Sequence, residues 1–370
     1  MYVAGSGGCF CFCVLVEELS YLKGSELVEE KKRKQHFVFQ AYLDAWKDKG
    51  KIHCCRDWGV PFSGSTERVA NIRDFYRLKP LNDDEERFYC LLIQNYPDDV
   101  KNALLQHLIS YVEPIKWQQQ LNFLRRLSEA RFNGNIPEEL ETEIARLEKF
   151  VDATINNLDE DYMSELEGES KKWLDALKNK SSDFYYEEVL HIEGEPYDDE
   201  SFHFLYFLCV QMFRTDATKE RWIAGFKPSL DHPDLEKLKV SRENIDLENL
   251  VPHFFWEFQN LLAYNLRKNK AHLTILINES SVPYITSDQP VINLKADYSN
   301  IGAEIEEMVL YYPISPKIAI TVNDNNSERI ITLSENDVRS YNSIIAKASY
   351  HEVYGDSKTI LMEIAEEMKQ

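Results

Sequence analysis

The chain has 370 residues, of which 44% are hydrophobic and 12% aromatic, a composition typical of a folded globular protein rather than a disordered one. Its formal net charge of -21 argues against a surface devoted to phosphate backbones, although a local basic patch can still bind nucleic acid. Its 7 cysteines are odd in number and lack CxxC spacing, which favours reduced thiols and a cytoplasmic location.

The N-terminal segment holds a short apolar run, GGCFCFCVLV, far shorter than the roughly 20 residues that span a bilayer. No basic residue precedes it, so we expect neither a signal peptide nor a membrane anchor. Residues 1–34 are interpreted as an extension that is either a terminal strand or a disordered tail. The alternative is that residues 1–27 are not native, because codons for Lys-Gly-Ser-Glu can resemble a ribosome-binding site ahead of a start at Val28.

The next segment predicts a helix followed by a strand. Phe39, Tyr42 and Trp46 recur at helical spacing, and an apolar strand follows over residues 52–56. The stretch TERVANIRDFYRL then predicts a short helix or a return of the chain to the core.

Residues 83–178 are predicted to be helical, because apolar residues recur every three to four positions with few β-branched runs. The charged end of this region, residues 157–183, is predicted to be a solvated helix or a connection. Residues 201–222 predict a buried central helix, because the first half of the segment is apolar nearly all round. A further helix is predicted from Val251, with Pro252 in its first turn.

After Ala271 the sequence becomes β-rich, with short β-branched and aromatic runs separated by Asn, Ser, Asp and Pro. The expected fold class is α+β, in which a helical middle is inserted between an N-terminal helix and strand and a C-terminal, mostly antiparallel or mixed sheet. Residues 35–370 are expected to be one domain with a helical insertion at 83–270. Ser334 to Asp337 predicts the cap of a late helix.

The stretch VPYITSDQPVI, residues 282–292, places a polar Ser287-Asp288 between two strand-like runs. Pro290 restrains the preceding residue to extended geometry, so Asp288 is expected at a strand end. Its carboxylate either satisfies its own turn or faces a pocket.

Arg214 is the first candidate for chemistry, because its charge is embedded in an apolar helix and must meet a carboxylate, a phosphate or several carbonyls. Gln211 lies one turn earlier on nearly the same face. One interpretation is a structural ion pair with Asp288 or Glu257. The other is a clamp for a substrate anion.

A second candidate is the row His253, Glu257, Asn260 and Tyr264, which lies on one side of the later helix. Such a row usually marks the solvent side of a helix. If it lines a cleft instead, His253 and Glu257 can act as an acid–base pair or as two metal ligands. No third ligand stands out, so no metal is assigned, and the cofactor remains unassigned.

The motifs of common enzyme classes are missing from the sequence, namely GxxxxGK[ST], GxGxxG, GxSxG, HExxH and DxDxDG. This disfavours standard nucleotide-triphosphate hydrolysis, dinucleotide redox chemistry and the common hydrolase folds.

Several segments occur in a distinctive order: QHFVFQAYLDAW, KIHCCRD, FLCVQMFRTDATKERW, YITSDQPVI, YYPISPKIAI and YNSIIAKASYHEVYG. Together, from Gln35 to Ser357, they resemble the bacterial family known as domain of unknown function 4238. The chain departs from the family pattern at three positions, none of which removes a candidate polar residue: Phe39, Asp216 and Ile314. The resemblance implies a fold and a site but no established reaction.

The resemblance begins at His36 and includes Gln40 and Tyr42. His36 is either a hydrogen-bonded packing residue or a general base near Arg214 and Asp288.

Two functional hypotheses follow. The first is a cytoplasmic bacterial effector with nuclease-like or nucleotide-processing activity and an anionic substrate, a class often associated with phage defence. Its catalytic residues would be His36, Gln211, Arg214 and Asp288. Its substrate-binding residues would be Gln40, Tyr42, Thr215, Ser287, His253 and Glu257. The second is a non-enzymatic sensor or protein-interaction module in which the same residues form a buried structural network.

Overall fold

A computed structural model describes residues 30–111, 113–186, 199–300, 303 and 305–369 of the protein. The hypothesis that residues 1–27 are not native lies outside this part of the chain. Within it, no helix combines the length and the apolar character needed to cross a membrane.

The N-terminal segment contains short strands around one short helix. β1 (Lys34–His36) pairs antiparallel with β4 (Asn71–Arg73), and α1 (Gln40–Leu43) continues directly into a 3-10 helix. The predicted strand is β2 (Ile52–Arg56), which pairs with β3 (Phe62–Gly64). The stretch TERVANIRDFYRL forms β4 and a loop, so the option of a helix there is wrong.

The predicted helical middle is confirmed, and its helices are α2 (Asp83–Ile93), α3 (Asp98–Tyr111), α4 (Glu113–Arg131), α5 (Glu138–Lys178) and α6 (Asp183–Tyr186). The charged stretch of residues 157–183 is more than a solvated helix. Most of it belongs to α5, which buries Met163, Trp173 and Leu177 along one face. A helix of 41 residues can keep one stripe on the core while its other faces carry charge.

The next helices are α7 (Glu200–Phe213), α8 (Asp216–Phe226), α9 (Asp234–Lys237), α10 (Leu247–Leu250) and α11 (Pro252–Lys268). The single helix predicted for residues 201–222 is therefore wrong, because the chain breaks at Arg214 and Thr215. The prediction for α11 is confirmed, including Pro252 in its first turn.

The C-terminal strands are β5 (Leu273–Asn278), β6 (Thr286–Ser287), β7 (Ile292–Asn293), β8 (Leu310–Ser315), β9 (Ile318–Val322), β10 (Ile330–Leu333) and β11 (Glu352–Gly355). One sheet has the order β10-β5-β9-β8-β7, with β10 and β5 parallel and the other pairs antiparallel. The mixed α+β architecture is confirmed.

A second sheet, in the order β3-β2-β11-β6, joins the two ends of the chain. Two helices pack beside its C-terminal part. α12 (Glu335–Ala348) begins with the predicted cap at Ser334, and α13 (Lys358–Glu367) was not predicted.

The main hydrophobic core contains side chains from α1, α5, α7 and the first sheet. Tyr42 stacks on Tyr312 with ring centroids 4.9 Å apart, and the indole N–H of Trp46 donates to the Tyr284 carbonyl at 2.9 Å. These contacts place the N-terminal segment against the C-terminal strands and bring His36 close to α5 and α7.

Candidate functional site

Arg214 lies at the break between α7 and α8. Thr215 caps α8, and its hydroxyl accepts a hydrogen bond from the Thr218 N–H at 3.3 Å while its own backbone is extended. The Arg214 side chain points inward and is only 1% exposed. A guanidinium in such surroundings needs partners for its charge and for its N–H groups.

The charge partner of Arg214 is Glu167 on α5. Nη1 donates to Glu167 Oε1 in a close ion pair and to Gln211 Oε1 at 3.5 Å. Nε donates to the Tyr76 hydroxyl at 2.8 Å, and Nη2 donates to the backbone carbonyl of His36. Arg214 therefore connects the N-terminal segment with α5 and α7.

These contacts correct two expectations for Arg214. The ion pair with Asp288 or Glu257 is wrong, because the carboxylate comes from Glu167. Burial raises the pKa of Glu167, and the adjacent arginine offsets part of that rise. An arginine held this way has little of its surface left to clamp a substrate anion.

Beside this ion pair is an opening of about 310 Å³, here named the N-terminal cleft. It contains two sequence candidates, His36 and Gln40, next to Arg214. The cleft is lined by His36, Phe39, Gln40, Ala41, Asp44, Glu160, Met163, Ser164, Glu167 and Arg214. It is large enough to admit part of a ligand, and most of its polar groups come from α5 and the N-terminal segment.

His36, which lines the N-terminal cleft, has a ring nitrogen without a hydrogen-bond partner in the described part of the chain. This atom, Nε2, is buried. Burial lowers the pKa of His36, and the positive charges of Lys34 and Arg214 lower it further, against the opposing effect of hydrogen bonds to the backbone of Thr66 and Glu67. The imidazole is therefore neutral at pH 7 and can accept a proton.

Glu160, which lines the same cleft, has a second polar atom that is unpaired among the described residues. This atom, Oε2, is buried. Burial raises the pKa of Glu160 to about 7; Arg214 opposes this rise and Glu167 reinforces it. The carboxyl group can therefore hold or release a proton near neutral pH.

Neither Glu160 nor Glu167 was a candidate from the sequence. They are seven residues apart, or about two helical turns, which places them on nearly the same face of α5. That spacing was a usable signal, but the surrounding charges suggested a solvated helix.

Gln211 is close to Arg214, as its spacing predicts, and it is buried. Its Oε1 accepts from Arg214, whereas its Nε2 has no partner among the residues described. Gln211 does not line the N-terminal cleft. Gln211 therefore contacts Arg214 without being part of the cleft wall.

Asp288 is separate from the other three catalytic candidates. Its carboxylate accepts the backbone N–H groups of Tyr350 at 2.8 Å, His351 at 2.6 Å and Glu352 at 2.9 Å. Burial raises the pKa of Asp288 to about 6, against the opposing effect of these three hydrogen bonds. The expectation that Asp288 joins Arg214 and His36 in one pocket is wrong, because its oxygens hold the chain that enters β11.

Two of the expected substrate-binding residues, Tyr42 and Ser287, are core residues with satisfied hydroxyl groups. The Tyr42 hydroxyl is 2.6 Å from Thr286 Oγ1 and donates to the Pro313 carbonyl at 2.8 Å. Ser287 Oγ donates to the Gln289 carbonyl at 3.0 Å. Neither residue lines the N-terminal cleft.

Thr215 is also buried, and its hydroxyl donates to Gln289 Oε1. The amide of Gln289 donates in turn to the carbonyls of Met212 at 3.0 Å and Val291 at 2.7 Å. Thr215 therefore joins the α7–α8 break to the TSDQP segment.

The polar row that begins at His253 on α11 faces the protein interior at its start. The interpretation that this row marks the solvent side of the helix is therefore wrong there. His253 is buried, and burial lowers its pKa to about 3, with a further contribution from His107. Glu257 is partly buried, and burial raises its pKa. His253 lines a cavity of about 170 Å³ on the other side of Arg214, whereas Glu257 lines neither this cavity nor the N-terminal cleft.

In the described part of the chain, the fold brings no third metal ligand to His253 and Glu257. Across the described ranges, no group of three or more His, Cys, Asp or Glu side chains is placed to hold a metal ion. The groups available for chemistry in the N-terminal cleft are the imidazole, the carboxyl groups and the uncharged amide and hydroxyl of Gln40 and Ser164.

Comparison with known proteins identifies one family. The family described as "Protein of unknown function (DUF4238)" matches residues 34–359. No curated protein and no solved structure matches the chain. The match covers both sheets, the helical middle and every residue of the N-terminal cleft.

Proposed function

The chain belongs to the DUF4238 family, and we propose that it is an enzyme that cleaves a phosphodiester or nucleotide substrate in the N-terminal cleft. One observation carries the proposal: His36 Nε2 and Glu160 Oε2 are buried, unpartnered polar atoms of residues that line the same cleft. Leaving such atoms unpaired costs about 1–3 kcal/mol each, so a ligand that pairs with them gains binding energy.

The two groups have complementary protonation states near neutral pH. The lowered pKa of His36 keeps its imidazole unprotonated, so it can take a proton from an attacking hydroxyl or water. The pKa of Glu160, about 7, keeps a large share of its carboxyl protonated, so it can give a proton to the leaving oxygen. Cleavage of a phosphodiester requires both transfers.

The charge around the cleft disfavours a terminal phosphate, which carries nearly two negative charges, more strongly than a phosphodiester, which carries one. Lys34 and Arg214 lower the pKa of His36, and Arg214 and Lys32 lower that of Glu160, although Lys32 is also paired with Asp161. Asp44 and Glu167 line the same cleft and oppose a second negative charge.

Arg214 has a positioning role in this proposal. It holds the His36 backbone carbonyl and the Glu167 carboxylate at the same time, which fixes the two walls of the cleft relative to each other. Its guanidinium is too enclosed to be the main anion contact.

The alternative is a non-enzymatic sensor or interaction module, and the enclosure of Arg214 favours it. A buried ion pair with hydrogen bonds to several segments is sufficient explanation for an arginine in an apolar helix. A purely structural network does not require unpaired atoms on His36 and Glu160. Replacing these two residues therefore distinguishes the two proposals.

The test is cleavage by the purified protein. Labelled RNA, single-stranded DNA and duplex DNA are incubated with wild type, His36→Asn and Glu160→Gln. Glu165→Gln, an exposed glutamate on the same helix, is the matched control. We expect a bell-shaped pH profile, a loss of about 100-fold or more in both cleft variants and no loss in the control. No cleavage by wild type, or equal cleavage by Glu160→Gln, overturns the proposal.

We further propose that the activity serves in phage defence inside the bacterial cell. Phage plating on cells that express wild type, Glu160→Gln or Glu165→Gln tests this role. Protection by wild type and Glu165→Gln but not by Glu160→Gln supports it. Equal plating on all strains, or equal protection by Glu160→Gln, contradicts it.

A further inference from the structure

A second cavity, of about 430 Å³, lies between α8 and residues 296–300, which follow β7. We name it the α8 cavity. One side is an aromatic wall, in which Trp222 meets Phe258 edge-on at 4.9 Å and Phe226 edge-on at 5.7 Å, with Tyr96 beyond Phe258 at 6.1 Å. A cavity of this size and lining is typical of small-molecule sites.

Arg221 supplies a positive charge to the α8 cavity. One of its N–H groups donates to the Ala348 carbonyl at 3.0 Å, and its guanidinium lies 4.6 Å from the centre of the Tyr298 ring. Among the described residues, none forms a salt bridge with it. Burial lowers the pKa of Arg221. Tyr298 and Asp288 raise that pKa, but by less than burial lowers it. The charge is therefore partly desolvated and lacks a close counter-ion.

Most other polar groups lining the cavity are already hydrogen-bonded, including the exposed Asp297 carboxylate, which accepts from the N–H and hydroxyl of Ser299. The Gln289 amide bonds Met212 and Val291, and the Asn293 side chain bonds the backbone of Glu307 and Val309. The Tyr298 hydroxyl donates to the Asn293 carbonyl at 2.9 Å. A ligand rich in hydroxyl groups, such as a sugar, would find few free partners on this wall.

We propose that the α8 cavity binds a flat aromatic carboxylate, with its ring against Trp222 and Phe258 and its carboxylate on Arg221. A carboxylate matches the planar fork of a guanidinium and supplies the missing counter-ion. This site shares no lining residue with the N-terminal cleft and does not depend on the proposed cleavage activity.

Calorimetric titration of the purified full chain with indole-3-acetate and with 2-naphthoate tests the site. Indole-3-acetamide is the matched neutral probe. We expect at least one carboxylate to bind with a dissociation constant below about 1 mM. The amide and the variant Arg221→Gln should each weaken binding about ten-fold or more, since a charge-assisted hydrogen bond is lost.

Gly225 offers a way to fill the cavity without disturbing the fold. It lines the cavity on α8, and a Cβ built there meets nothing within 4 Å. Gly225→Leu should abolish binding. Gly168→Leu is its matched control, because Gly168 is also an exposed helical glycine with open space around a Cβ, but it lies on α5 outside the cavity.

Thermal melts show whether each variant is folded. Absence of binding by both carboxylates to folded wild type overturns the proposal. Binding that survives Gly225→Leu, or that is equal for acid and amide, also overturns it. Since the cleavage assay uses other residues, either proposal can fail while the other holds.

Discussion

Glu167 and Arg214 form an ion pair inside the protein, with the arginine side chain 1% exposed and the glutamate side chain 14% exposed. The pair joins α5 to the break between α7 and α8, and through the His36 carbonyl it also holds the first strand of the fold. The N-terminal cleft exists because these three parts of the chain meet at one guanidinium.

Replacement of Arg214 by Gln should lower the free energy of unfolding by about 3–5 kcal/mol, because it leaves the Glu167 carboxylate buried without its partner. Urea denaturation at pH 7 measures this loss. The double variant Arg214→Gln/Glu167→Gln should recover part of it, since neither charge then remains. A loss below about 1 kcal/mol in the single variant would show that the pair is not structural.

The ionisation of Glu160 should appear in the pH dependence of stability. Its pKa is raised from an ordinary value of 4.5 to about 7 in the folded protein, so the folded state binds the proton more tightly. Its contribution is therefore full below about pH 4.5 and is lost as the pH rises through about 7.

Urea denaturation of wild type and Glu160→Gln at several pH values measures this effect. The difference between the two isolates Glu160, because every other group is common to both proteins. We expect wild type to lose stability relative to the variant between pH 5 and about pH 8. A constant difference would mean that Glu160 is ionised as in water.

Asp288→Asn should destabilise the protein by about 2–4 kcal/mol, because an amide offers one acceptor oxygen where the carboxylate accepts three backbone N–H groups. Thermal or urea unfolding measures the loss. Hydrogen exchange should also accelerate at His351 and Glu352. Asp297→Asn, at an exposed turn, is the control and should change stability little. An unchanged exchange rate at His351 and Glu352 would contradict the structural role.

Tyr42→Phe should lower the free energy of unfolding by about 1–3 kcal/mol and leave cleavage unchanged. The reason is that its hydroxyl bonds Thr286 and the Pro313 carbonyl within the core. Tyr350→Phe, at a tyrosine that is 44% exposed, is the control. Loss of cleavage with normal stability would instead return Tyr42 to the substrate-binding residues.

Local patterns were sufficient for much of the fold. The helical middle, α11 with Pro252 and the capped α12 each follow from spacing and capping within one segment. The break between α7 and α8 and the helix α13 were not predicted, and both omissions have local causes. The break after Phe213 depends on the Thr215 cap, which the apolar run hides, and α13 begins without a side-chain cap.

The site required more than local patterns. Gln211 and Arg214 were identified from the sequence because polar groups in apolar segments are costly and need partners. His36 and Gln40 were singled out because the family resemblance begins there. The partners themselves were assigned wrongly. Glu167 is 47 positions from Arg214, and Asp288 is 62 from Tyr350, distances at which a single sequence carries no pairing signal.

The sequence by itself determined the family, the α+β class and some of the polar residues that need a partner in the core, such as Gln211 and Arg214. Only the tertiary structure decided which carboxylate meets which cation. A helix period places Glu160 and Glu167 on one face of α5, but it does not say whether that face meets water or Arg214. That choice is made by packing between distant segments, where the desolvation cost of a buried charge is met only by a partner at hydrogen-bond distance.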